Sequence, residues 1–107
     1  MLYVFKSKAG ADVTLLAESG DALLRLMARE PAPRGIFQAA DLPRLMQALE
    51  AGVAADEAQF QQAVEDAKAA GEPVPCRQGV SLRQRAWPLL ELMQRSARED
   101  ADVVWGV

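Results

Sequence analysis

The chain has 107 residues, the usual size of one domain and too short for two independent cores. Half of its residues are hydrophobic and a quarter are charged, which excludes a disordered or fibrous protein. It has no histidine and one cysteine, so the metal sites and nucleophilic dyads of small enzymes lack their commonest parts.

Charge and termini narrow the setting further. A formal net charge of -3 argues against a general polyanion binder, because a phosphate backbone demands a clustered positive surface. A single cysteine, Cys76, cannot form an internal disulfide, and the opening Met-Leu-Tyr-Val-Phe-Lys lacks the basic start and cleavage site of an export signal. No stretch reaches the roughly 18 consecutive apolar residues of a membrane span. The expectation is a cytoplasmic protein with neither membrane nor nucleic acid as partner. Within the chain, Asp56, Glu57, Glu65, Asp66 and Glu72 have only Lys68 beside them, whereas Arg77, Arg83, Arg85, Arg95 and Arg98 have only Glu91. The second half is a charge dipole whose two arms are expected to be neighbours.

Residues 2–7 and 12–17 are short and rich in aromatic, aliphatic and β-branched types, and Ala-Gly-Ala at 9–11 supplies a turn, which predicts a β-hairpin. Leu2 and Val4 fall on one face of the first strand, and Tyr3 and Phe5 on the other. Ser19 or Asp21 can cap a helix running to about Arg29, with Pro31 and Pro33 ending it. Residues 35–37, Gly-Ile-Phe, read as an apolar connector. Asp41 followed by Leu42 and Pro43 is a helix start, and Leu42, Leu45, Met46, Leu49 and Val53 recur at helical spacing.

A second helical run covers residues 56–70, with Gly52 either separating it from the first or absorbed into one longer helix. Pro73 and Pro75 make residues 71–76 a linker. Ser81 caps a last helix whose stripe is Leu82, Ala86, Leu89, Leu90, Met93 and Ala97. Pro88, inside it, predicts a bend or a fresh helix start. The last residues, 103–107, read as an ordered terminal strand with Trp105 buried.

Three segments stand out together: Leu-Tyr-Val-Phe-Lys-Ser-Lys-Ala at 2–9, Val-Ser-Leu-Arg-Gln-Arg-Ala-Trp-Pro-Leu-Leu-Glu-Leu-Met at 80–93, and Val-Trp-Gly-Val at 104–107. In these the chain resembles a family of short bacterial proteins known only as domain of unknown function 1840. The resemblance spans essentially the whole chain and implies a small bacterial cytosolic protein. It brings no catalytic residue, cofactor or partner.

Few side chains suggest chemistry. Arg77, Arg83 and Arg85, beside a helix start at Ser81, can hold an anion; on the alternative reading they pair with the acidic helix. Trp87 falls about 130° from the centre of the apolar stripe, so it marks either a second contact surface or a residue that the Pro88 bend turns into the core. Cys76 beside Arg77 has one ingredient of a reactive thiol but no base. Glu18 and Asp21 are indistinguishable from helix-start charges. No phosphate loop or metal-ligand spacing occurs.

The reading is therefore an α+β domain over residues 1–107. It consists of an N-terminal hairpin and a C-terminal strand in a three-stranded sheet, the closing strand beside the first, packed with three to four helices. Without a catalytic residue, cofactor or metal to name, the favoured role is a non-catalytic interaction protein that self-associates as a homodimer. The face bearing Tyr3 and Phe5, or that bearing Trp87, is its expected contact. The alternative is an enzyme or metabolite-binding regulator acting on a small anionic ligand near Arg77, Arg83 and Arg85.

Overall fold

A computed structural model describes residues 2–76 and 81–106. Strands β1 (Leu2–Ser7) and β2 (Gly10–Leu16) form the expected antiparallel hairpin. Its turn is shorter than expected: Gly10 already pairs with Ser7, leaving Lys8 and Ala9 to make it. Farther along, Phe5 pairs with Val13, so β2 carries one extra residue opposite Lys6, as a bulge does.

The chain continues through α1 (Ala17–Leu26), β3 (Gly35–Phe37), a single 3₁₀ turn, α2 (Leu42–Ala70), α3 (Leu82–Arg98) and β4 (Val103–Trp105). The closing strand β4 lies beside β1, as the sequence suggests. The sheet nevertheless has four strands, in the order β2-β1-β4-β3, because residues 35–37 form a strand rather than a connector. Every neighbouring pair is antiparallel.

Alternation along the strands separates two faces. Tyr3, Phe5, Phe37, Val103 and Trp105 are buried, and they pack with Leu23, Leu24, Leu45, Leu49, Leu89 and Met93 of the three helices in one core. Tyr3 and Phe5 are thus not the open face expected of them. Aromatic rings bury more apolar area than the leucine and valine on the other side, and glycines make room for them. A Cβ on Gly20 would lie 2.1 Å from the Tyr3 ring, and one on Gly35 2.2 Å from the Trp105 ring. The Trp105 indole N–H donates to the Ala32 carbonyl at 3.0 Å, so its one polar atom is satisfied inside.

Helix α1 starts two residues before Ser19, and neither expected cap residue caps it. Both side chains are used elsewhere: the Asp21 carboxylate accepts the Tyr3 hydroxyl, and Ser19 Oγ accepts from Arg85 at 2.6 Å. The helix ends at Leu26, before the expected Arg29, where Ala28 turns left-handed at φ 59° and Arg29 N–H reaches back to the Leu24 carbonyl.

Gly52 is absorbed into a single 29-residue α2, and a Cβ there would meet Leu26 Cδ2 at 2.7 Å, so glycine lets α1 and α2 approach closely. Ser81 caps α3 as expected and forms a reciprocal box with Gln84. The helix runs through Pro88 without a new start.

Candidate interaction surface

Because Tyr3, Phe5 and their cross-strand partners point into the helix layer, the alternate residues must share the opposite face of the sheet. Register makes the set explicit. Leu2 pairs with Leu16 and Val4 with Thr14, while Lys6, Val104 and Ile36 form a row across β1, β4 and β3. Helices α1 and α3 pack directly on the sheet and α2 packs on them, all on the buried side. Among the described residues, no element covers the other side. Leu2, Leu16 and Ile36 are 56%, 63% and 40% exposed, and Val4 and Val104 are partly exposed between them.

At one end of this open face lies a depression of about 680 Å³, lined by Lys6, Lys8, Glu99, Asp100, Asp102 and Val104 among others. Asp100 adopts a left-handed conformation, φ 54°, as the chain leaves α3 for β4. The Asp102 carboxylate accepts the Ala39 backbone N–H at 2.8 Å and so fixes the entry to α2. Among the described residues, Lys6, Lys8, Glu99 and Asp100 form no ion pair. Behind the depression, a relay runs from Ala9 N–H to Ser7 Oγ, from Ser7 to Ser96 Oγ at 2.7 Å, and from Ser96 to the Leu92 carbonyl at 2.7 Å. It binds the hairpin turn to α3.

Of the arginines singled out in the sequence, the two described ones, Arg83 and Arg85, turn to different partners. Arg83 donates both Nε and Nη2 to Glu57 of α2, the shorter contact being 2.6 Å, and this partner raises the guanidinium pKa further. The basic and acidic arms of the charge dipole are thus neighbours. Arg85, about 200° farther around α3, points to Ser19 of α1 instead. Arg77 lies outside the described residues.

Trp87 is 54% exposed on α3, so continuing the helix through Pro88 does not bring it into the core. Cys76 is exposed in the linker. No group of three histidine, cysteine or acidic side chains placed to hold a metal occurs among the described residues. There, too, every buried side-chain nitrogen and oxygen has a partner, and no helix is long and apolar enough to cross a membrane.

Alternation places Leu2 and Val4 on a common face, sets Leu16 on the face opposite Leu15 and Val104 on the face opposite Trp105, and does not group Leu16, Val104 and Ile36 with Leu2 and Val4 or give the charged depression. The alternation of β2 carried part of the signal. Cross-strand register, which joins Leu16 to Leu2 and Ile36 to Val104, was not readable from one strand at a time.

The molecule is thus a small α+β protein with a one-sided antiparallel sheet. Residues 1–105 match the domain of unknown function DUF1840, and the chain belongs to that family. It matches no curated protein and no solved structure.

Proposed function

We propose that the protein is a non-catalytic interaction protein of the bacterial cytoplasm that works as a homodimer, each protomer covering the open sheet face of the other. The observation that carries this reading is the one-sided sheet. Its helices lie on one face, and Leu2, Val4, Leu16, Ile36 and Val104 stand on the other with no described element over them. Exposed apolar side chains gathered on one uncovered face mark interaction sites. A patch that meets itself about a twofold axis is the commonest way to cover it.

The net charge of -3 favours a second copy over nucleic acid or an anionic membrane as the occupant. A chain with one cysteine, and so no internal disulfide, suits a reducing compartment. Arg83 turning to Glu57 and Arg85 to Ser19 supports the interaction reading over the small-anion alternative.

Sedimentation equilibrium tests the reading. The wild type should sediment at about twice its 11.6 kDa chain mass at micromolar concentration, and a Leu16→Lys/Ile36→Lys variant at the mass of one chain with unchanged circular dichroism. A wild type at the mass of one chain throughout would overturn it.

A further inference from the structure

We propose, resting on the homodimer reading above, that the twofold axis runs along the mid-line of the sheet, between β1 and β4, and that Lys6 and Lys8 of each protomer pair with the Glu99, Asp100 and Asp102 carboxylates of the other. The strand order β2-β1-β4-β3 makes β1 and β4 the two central strands, and they are antiparallel neighbours. The end of β1 and the approach to β4 therefore lie at the same end of the sheet. Lys6 and Lys8 occupy the β1 side of that end, and residues 99–102 occupy the β4 side; together they line one depression continuous with the open face through Val104.

A twofold axis lying in the contact plane along the mid-line exchanges left and right while keeping position along the strands. It sets β1 of one protomer over β4 of its partner. Lys6 then lies over Val104 of the other protomer and Lys8, beyond it, toward residues 99–102, so that the long lysine side chains reach the carboxylates at that end twice per dimer, while the apolar residues of the face close between the two sheets in an aligned sandwich.

An axis running across the strands instead would bring the charged end of each protomer over the Leu2 and Leu16 end of the other. That arrangement leaves charges facing apolar groups without partners, and desolvating them is costly. Opposite charges at the edge of a contact steer the encounter and fix register, whereas like charges there oppose it. The exposed Lys6 and Lys8 and the exposed Glu99 and Asp100, unpaired within the described part of their own chain, are the groups such an interface would use.

Two charge variants and their mixture test the placement by sedimentation equilibrium. One is Lys6→Glu/Lys8→Glu. The other is Glu99→Lys/Asp100→Asn, in which asparagine tolerates the left-handed backbone at position 100. Each variant alone should dimerise about tenfold more weakly than wild type, and an equimolar mixture should recover affinity to within about threefold by forming the heterodimer.

Variants that dimerise as tightly as wild type, or a mixture that recovers nothing, would overturn the axis. If the Leu16→Lys/Ile36→Lys variant is then still monomeric, the open-face dimer survives and only its geometry is wrong. A monomeric wild type overturns both. Circular dichroism and melting temperatures matching wild type keep a misfolded variant from counting for either.

Discussion

The phenol of Tyr3 on β1 donates its proton to Oδ1 of Asp21 on α1, tying the buried face of the sheet to the first helix. Burial, then the hydrogen bond and the negative charge of Asp21, push the phenol pKa from 10.0 up to about 12. The folded protein thus favours the protonated phenol more than the unfolded chain does. The stabilisation is fully present below about pH 10 and is lost as the pH rises toward 12. Urea unfolding across that range should show stability falling in wild type and less so in Tyr3→Phe, which should cost about 1–2 kcal/mol at neutral pH. Equal slopes in the two proteins would contradict this assignment.

Trp105 lies directly across from Gly35, and its ring occupies the space a Cβ would need. Gly35→Ala should destabilise the protein by about 2 kcal/mol, an overpacking cost. In a Trp105→Phe background, where the shorter ring leaves room, the same substitution should cost distinctly less. A double-mutant cycle by chemical denaturation reads the difference. The Trp105 ring is also flanked by Arg29, whose guanidinium carbon sits 6.0 Å from it and 5.3 Å from the Phe37 ring.

At the end of α1, Ala28 holds a left-handed conformation that glycine adopts without a Cβ penalty. Ala28→Gly should therefore stabilise the protein by about 0.5–1 kcal/mol, against the usual cost of adding a glycine. A loss of stability on thermal or urea unfolding would show that the alanine is favoured for another reason.

Much of this fold was legible in the sequence. The hairpin, the start of α2 at Asp41 and Pro43, the Ser81 cap and the buried Trp105 followed from local pattern, because each is set by a few adjacent residues. What was not legible depends on partners distant in the chain. Alternation shows that β1 has two apolar faces but not which one the helices take; the face they take is the one where Gly20, distant in the chain, leaves room for the Tyr3 ring. The three residues of β3 are too few to alternate visibly, and only their pairing with β4 makes them a strand. Ser19 and Asp21 looked like caps because their tertiary partners, Arg85 and Tyr3, are 66 and 18 residues away.

Trp87 offers a check on which surface is used. It is exposed on α3, within the helix layer on the opposite side of the sheet from Leu2 and Leu16. Trp87→Ala should change stability by no more than about 0.5 kcal/mol and leave the dimer dissociation constant unchanged. A large loss of dimer in this variant, measured by sedimentation, would move the contact to the helix layer.

The most direct test of the open-face dimer is an isotope-filtered nuclear Overhauser experiment on a mixture of labelled and unlabelled chains, which detects only contacts between protomers. The open-face account predicts intermolecular signals among the methyl groups of Leu2, Val4, Leu16, Ile36 and Val104, and none to the Trp87 indole. Intermolecular signals confined to Trp87, or none at a concentration where sedimentation shows dimer, would contradict it.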